Sequence, residues 1–350
     1  MDLETKVRQH LETVYGSSVS NLTMKRLGKG VHGTAFKLAF ETDGKQRDLI
    51  LKTLFPAEFG HDHFSDRARV LLLAYADYND MPQHVEAIDV VGDAPDRLIS
   101  LKDAQEFFIF MKTAPGTPYV EDLDAILQRH ALTEQDRERT RALARFLARL
   151  HQRRYQGPNA CSLYRRRIRE LVGHGECIMG IIDTYDAVPF ASFQELSAFA
   201  RKGVSWWEKL RDKVERLCNV HGDYHPGNIR FHGEGFTLLD RSRGRWGEAA
   251  DDVSCLASNY IYYALKDRGC FEGPFAELCR VFAENYLELT GDHDLLSMVQ
   301  PFFAFRILVI ANPRFYPDDT TAVKRKLITF GLNVLDCERF DLEKVPDYLI

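Results

Sequence analysis

The chain has 350 residues, enough for one large or two medium domains, and its 45% hydrophobic and 28% charged composition is that of an ordinary globular protein. A formal net charge of -5 argues against nucleic acid, which asks for a basic face, and leaves room for a cationic small molecule. The opening Met1-Asp2-Leu3-Glu4-Thr5-Lys6 is polar, no apolar run has the roughly 18 residues of a membrane span, and seven cysteines stand singly without a C-x-x-C pair, so a cytoplasmic protein with reduced thiols and no membrane partner is expected.

Leu3 to Tyr15 places apolar residues at Leu3, Val7, Leu11 and Val14, a helical spacing. Leu22 to Leu27 alternates like a strand, a glycine cluster follows, and Thr34 to Phe40 alternates again. Thr42-Asp43-Gly44-Lys45 is a hairpin turn signal, after which Asp48 to Leu54 reads as a third strand. Phe64 to Tyr78 has helical periodicity, and the apolar run Phe107 to Met111 has the length of a strand. Lys112-Thr113-Ala114-Pro115-Gly116-Thr117-Pro118 breaks the pattern. Beyond it helices dominate: one from the N-cap Thr133 to about His151, then Leu163 to Tyr185, Ser192 to Leu217, Asp252 to Leu265, Gly273 to Leu289 and Thr320 to Leu335, with short strands at Ile229 to His232 and Phe236 to Leu239. The expected division is a lobe over 1–112, a hinge over 113–118 and a helical lobe over 119–350.

Gly28-Lys29-Gly30-Val31-His32-Gly33 matches G-x-G-x-x-G, and its flanks decide what it does. A dinucleotide loop opens a helix, whereas here the following residues alternate with period two. An ATPase loop ends in G-K-[ST], whereas this one ends Gly33-Thr34-Ala35. A strand–glycine loop–strand hairpin over a triphosphate remains, with a plain glycine-rich turn as the bland alternative. Lys52, set in Leu49-Ile50-Leu51-Lys52-Thr53-Leu54 one strand later, fits a phosphate-binding lysine directed to the covered face of that hairpin.

The strongest pattern is His221-Gly222-Asp223-Tyr224-His225-Pro226-Gly227-Asn228. An aspartate followed five residues later by an asparagine is the spacing of a kinase catalytic loop: the carboxylate orients a hydroxyl and takes its proton, and the amide oxygen coordinates magnesium. Asp240 follows the apolar strand Phe236-Thr237-Leu238-Leu239 and supplies a second hard oxygen for that ion.

His221-Gly-Asp-x-His-x-x-Asn228 followed by Leu238-Leu239-Asp240 resembles the aminoglycoside phosphotransferase and choline kinase group of kinase-like enzymes, over about Lys25 to Ala257. The resemblance implies an α+β, two-lobed protein kinase-like fold, with a small antiparallel-sheet N-lobe and a larger, mainly helical C-lobe. It implies ATP as co-substrate, Mg2+ as the metal and a small-molecule alcohol as acceptor, on a monomer or homodimer. Carried over by position, Asp223 is the base, Asn228 and Asp240 hold the metal, and Gly28, Gly30, Gly33 and Lys52 bind phosphate. The backbone from Lys112 to Ala114 meets adenine, His221 and His225 shape the loop, and Asp252, with Asp251 as near competitor, braces it. Asp66 is the candidate partner of Lys52, with Glu58 just before it, and Arg241-Ser242-Arg243 departs from what the group carries after its metal aspartate.

Other readings of these residues are weaker. The histidines fit no closed zinc site, and Arg165-Arg166-Arg167 with Arg169 reads as a solvated helix face. Arg306 to Tyr316 lines an acceptor pocket or packs at a helix end, and the acidic Glu121, Asp122 and Asp124 attract a cationic acceptor or open a helix. Two function classes stay open: an active small-molecule kinase for an aminoglycoside-, choline- or homoserine-like alcohol, and a nucleotide-binding pseudokinase that regulates or scaffolds a partner.

Overall fold

A computed structural model describes residues 1–29, 33–56, 60–79, 85–109 and 111–350. The chain divides into two compact units, Met1–Met111 and Lys112–Ile350.

The first unit is built on an antiparallel sheet. Helix α1 (Leu3–Tyr15) begins where the Asp2 carboxylate accepts the Thr5 amide at 2.8 Å and ends at Gly16 in the left-handed conformation. Strands β1 (Ser20–Lys29), β2 (Gly33–Thr42) and β3 (Lys45–Leu54) follow in sheet order β1-β2-β3. The β2–β3 turn has positive φ at both Asp43 (50°) and Gly44 (68°), which matches the twist of the strands it joins. Leu22, Leu38 and Phe40 bury one face of the sheet against Val7 and Leu11 of α1, each such side chain contributing about 1.5–3 kcal/mol. Because side chains alternate, Leu49 and Leu51 pack on that core while Ile50 and Lys52 occupy the opposite, exposed face. Helix α2 (Phe64–Tyr78) opens with a capping box between His63 and Asp66, and β4 (Val91–Asp93) and β5 (Leu98–Ser100) form a separate ribbon.

Phe107 to Met111 corrects the sequence expectation: its described residues are irregular, and Phe108 is 83% and Ile109 79% exposed. A strand needs a neighbour for its N–H and C=O groups, and no strand pairs with this run among the described residues.

The second unit begins with β6 (Thr117–Pro118), which pairs with β8 (Ile229–His232), so the end of the expected hinge belongs to a sheet. Helix α3 (Tyr119–Arg129) carries Glu121 and Asp122 in its first turn, in line with the helix-start reading of these acids, and α4 (Glu134–His151) starts at Thr133 with a capping box to Asp136. The expected helix over Leu163 to Tyr185 is two, α5 (Ala160–Gly173) and α6 (Ile178–Ile182), parted at His174-Gly175. Helix α7 (Phe193–Leu210) stops before Leu217, freeing β7 (Cys218–Asn219) to lead into the loop over His221 to Asn228. After β8 come β9 (Gly235–Leu238), β10 (Trp246–Gly247), and helices α8 (Ala249–Arg268), α9 (Gly273–Thr290), α10 (Gln300–Ala311), α11 (Thr321–Asp336) and α12 (Val345–Tyr348). Helix α8 is buried from Ala249 to Leu265 and contacts α9 and α10, which makes it the centre of the unit. No helix among the described residues is long and apolar enough to cross a membrane. A small antiparallel-sheet lobe followed by a larger helical lobe is the architecture of the protein kinase-like fold.

Candidate active site

The local chain path explains how Asp223, Asn228 and Asp240 meet. Strand β7 pairs with β10, and Val220 N–H donates to the Arg245 carbonyl at 2.9 Å, anchoring the entry to the loop. The loop closes through a single turn of 3-10 helix at Pro226–Asn228, whose first turn is capped by His225 Nδ1 accepting the Gly227 amide at 3.1 Å. Strands β8 and β9 then run out and back, with Ile229 opposite Leu238, and Leu239 N–H donates to the Asn228 carbonyl at 2.9 Å. This hairpin returns the chain so that Asp240 stands beside Asn228.

Asp240 is exposed, adopts φ 52°, and has no side-chain partner among the described residues. A left-handed conformation costs a non-glycine residue about 1–2 kcal/mol, so local structure holds it there against its own preference. Asn228 Nδ2 donates to the Asp223 carbonyl at 3.0 Å and to Asp223 Oδ2 at 3.3 Å, which leaves the amide oxygen of Asn228 uncommitted. Two free hard oxygens on adjacent residues fit a magnesium half-site, one that other ligands must complete. No group of three or more His, Cys, Asp or Glu side chains among the described residues is disposed to hold a metal by itself.

The loop backbone is braced from α8. Asp252, fully buried, accepts the amides of His221 and Gly222, both at 2.7 Å, and the ring of His151 at 3.1 Å; His151 in turn contacts the Tyr286 hydroxyl at 2.8 Å. Burial alone would raise the Asp252 carboxyl, but these donors and the nearby histidines hold it below its ordinary value. Asp251, the near competitor, faces the other way and pairs with Arg306 at 2.6 Å and Arg167 at 3.3 Å. His221 Nδ1 accepts the Asp223 amide at 3.2 Å.

Asp223 sits among cations. Arg306 of α10 donates to its Oδ1 at 2.5 Å, Arg243 approaches the same oxygen to 3.9 Å, and His225 lies 3.7 Å from Oδ2. Burial would raise this carboxyl; the charges of Arg306, Arg243 and His225 outweigh it and hold it below the ordinary value, while burial pushes His225 down. The departure after Asp240 also has a function: Arg241 donates to the Val220 carbonyl at 2.8 Å and to Asn219 Oδ1 at 2.6 Å, tying this segment to the strand before the loop. Arg165 and Arg166 form ion pairs on their helix face, with Asp212 and Glu170, but Arg167 turns inward to the Arg243 carbonyl at 2.7 Å and to Asp251. Sequence reading missed His151 and Tyr286, gave Arg306 only as the start of an acceptor-pocket or helix-end segment, and took Arg167 for a solvated residue. The one signal available was a lone charge, Arg306, inside the apolar run Pro301 to Ala311.

In the first unit, Lys52 is exposed opposite Ala35 of β2 and is in no ion pair with a described residue. Asp66 accepts the His63 amide at 2.8 Å in its capping box, and Glu58 lies outside the described residues. Gly28 pairs with Ala35 across β1–β2. Gly33 lies so close to β3 that a Cβ there would meet the Thr53 carbonyl oxygen at 2.2 Å, which accounts for the glycine. Gly30 lies outside the described residues. In the second unit, Lys112 and Ala114 precede β6 in irregular backbone.

A family model described as "APH: Phosphotransferase enzyme family" matches residues 26–284, well over half of the chain. No curated protein sequence matches it. Among solved structures, amicoumacin kinase hAmiN in complex with AMP-PNP, Ca2+ and Ami is 17% identical, over 98% of this chain and 99% of its own, at a TM-score of 0.44. A thermostable mutant of aminoglycoside phosphotransferase APH(4)-Ia, in ternary complex with ADP and hygromycin B, is 16% identical over 94% and 98%, at 0.37. Choline kinase from Cryptosporidium parvum Iowa II is 14% identical over 94% and 86%, at 0.33. Likenesses of that size decide nothing about this chain's acceptor; the family match carries the assignment. The chain belongs to the phosphotransferase enzyme (APH) family.

Proposed function

We propose that this protein transfers the γ-phosphoryl group of ATP to a hydroxyl of a small molecule. The observation that carries the reading is the grouping of Asp223, whose Oδ2 has only the 3.3 Å contact from Asn228 and His225 at 3.7 Å, with the uncommitted Asn228 amide oxygen and the exposed Asp240 carboxylate. Asp223 orients the acceptor hydroxyl and receives its proton as the oxygen attacks phosphorus. Asn228 and Asp240 would hold magnesium, which when bound neutralises charge on the phosphates. Lys52 and the glycine segment with Gly28, Gly30 and Gly33 bind the triphosphate, and the backbone of Lys112 to Ala114, where the hinge over 113–118 begins, meets adenine. Asp252 keeps the loop amides of His221 and Gly222 in place, so the base does not drift from its working position.

The acceptor class is an alcohol such as an aminoglycoside, choline or homoserine. A second reading, a nucleotide-binding pseudokinase, draws on the absence of a carboxylate partner for Lys52 among the described residues. One experiment separates them: transfer of radiolabelled γ-phosphate from ATP with magnesium to kanamycin, choline and homoserine, with water as the fourth acceptor and Asp223→Asn as control. Transfer that requires Asp223 establishes the kinase. Nucleotide binding in a thermal shift with no Asp223-dependent transfer to any acceptor establishes the pseudokinase.

A further inference from the structure

Helix α10 reads Gln-Pro-Phe-Phe-Ala-Phe-Arg-Ile-Leu-Val-Ile-Ala, and its one charge, Arg306, is only 5% exposed. A buried arginine loses its hydration, and an apolar residue of similar size would pack there at lower cost unless the charge has a task. All of its described bonds go to the catalytic loop or to the helix that braces it. One terminal nitrogen donates to Asp223 Oδ1 at 2.5 Å; the other donates to the Gly222 carbonyl at 2.9 Å and to Asp251 Oδ1 at 2.6 Å. Asp251 is itself held by Arg167, so the fork is fixed from α5 and α8 as well as from its own helix. The planar guanidinium thus grips both the side chain of Asp223 and the backbone just before it, which a single ammonium cannot do.

The two oxygens of Asp223 are left unequal. Oδ1 carries the Arg306 bond and faces Arg243 at 3.9 Å, whereas Oδ2 has only the 3.3 Å contact from Asn228 and His225 at 3.7 Å. We infer that Arg306 is a positioning residue of the transfer step, occupying Oδ1 of Asp223 so that Oδ2 is the oxygen presented to the acceptor hydroxyl. This rests on the kinase reading above. In the step, the acceptor oxygen bonds to the γ-phosphorus and the bond to the bridging oxygen breaks, leaving its electron pair on ADP. The hydroxyl proton goes to Asp223 Oδ2. A carboxylate free to rotate would offer either oxygen and would spend part of its time out of line with the hydroxyl.

The test is steady-state kinetics of Arg306→Met and Arg306→Lys, each alone and combined with Asp223→Asn, using the best acceptor of the panel above, or water if none exceeds it. Arg306→Met should lower kcat about 100-fold and leave the KM for ATP within about twofold, because the nucleotide side is untouched. Arg306→Lys, which keeps the charge but not the fork, should lose only about tenfold. In the Asp223→Asn background neither change should cost anything further, since Arg306 acts through that carboxylate. The inference is overturned if either single variant keeps kcat within about threefold of wild type, or if its loss multiplies with that of Asp223→Asn. Should Arg306→Met fail to fold, the same two criteria apply to Arg306→Lys. Wild-type protein that transfers nothing to any acceptor or to water sinks the kinase reading and this inference with it. An active wild type, an inactive Asp223→Asn and fully active Arg306 variants sink this inference alone.

Discussion

Replacing Asp252 by asparagine changes one oxygen to an amine without changing shape, and the surroundings make that change costly. The carboxylate accepts two backbone amides at 2.7 Å and the His151 ring at 3.1 Å in a site with no solvent exposure. Asparagine keeps one acceptor oxygen, so one of the amides of His221 and Gly222 must face an N–H donor. A hydrogen bond to a charged group contributes about 1.5–3 kcal/mol, and a buried amide left without a partner costs about 1–3 kcal/mol, so a loss of about 3 kcal/mol is a moderate expectation. For a unit the size of Lys112–Ile350, at about 2–4 °C per kcal/mol, the unfolding midpoint falls by about 6–12 °C. The loop backbone also shifts, and kcat falls by about 100-fold. The assays are differential scanning calorimetry and steady-state kinetics on the same preparation. A variant whose midpoint lies within 2 °C of wild type and whose kcat is unchanged would refute the brace.

Asp223→Asn should reduce phosphoryl transfer by about 10²–10⁴-fold while the stabilisation by ATP with magnesium persists, as measured by transfer assay and thermal shift. Asp240→Ala and Asn228→Ala should each abolish the difference between ATP alone and ATP with magnesium in that thermal shift; a difference of wild-type size would remove the residue from the metal site. Gly33→Ala places a carbon against the Thr53 carbonyl oxygen and should weaken the ATP shift by forcing β2 from β3; an unaltered ATP titration would contradict this. Acid stability depends on Asp292, which Arg216 bonds at 2.9 Å; burial would raise its carboxyl, but that bond and charge hold it below the unfolded value. Its contribution is therefore complete above about pH 4 and is lost as pH falls through the folded value, so Asp292→Asn should lower the midpoint at pH 7 and narrow the gap to wild type toward pH 2. A gap constant from pH 7 to pH 2 would exclude that linkage.

Local signals carried far in this chain. The alternation that puts Leu49 and Leu51 on one face and Lys52 on the other, the Asp43-Gly44 turn, and Thr133 at the start of α4 are all set by residues within a few positions of one another. The local geometry of the Asp223 to Asp240 segment was legible for the same reason: Asp223 and Asn228 flank one short turn, and the β8–β9 hairpin that leads to Asp240 spans about a dozen residues. Where the signal was not local, sequence reading went astray. Phe107 to Met111 has strand composition, but a strand exists only where another backbone accepts it. The helical pattern from Leu163 to Tyr185 runs through His174-Gly175, where the chain turns between α5 and α6.

The sequence by itself determined the two-lobed class and the chain path of the Asp223 to Asn228 loop, because hydrophobic period, turn residues and short spacings are properties of contiguous segments. Only the tertiary structure decided how that loop is held. Arg306 reaches Asp223 across 83 positions, and His151 reaches Asp252 across 101. No periodicity links such residues; what pairs them is the packing of α4 and α10 around the buried helix α8, where every charge taken out of water must find a counter-charge or a donor.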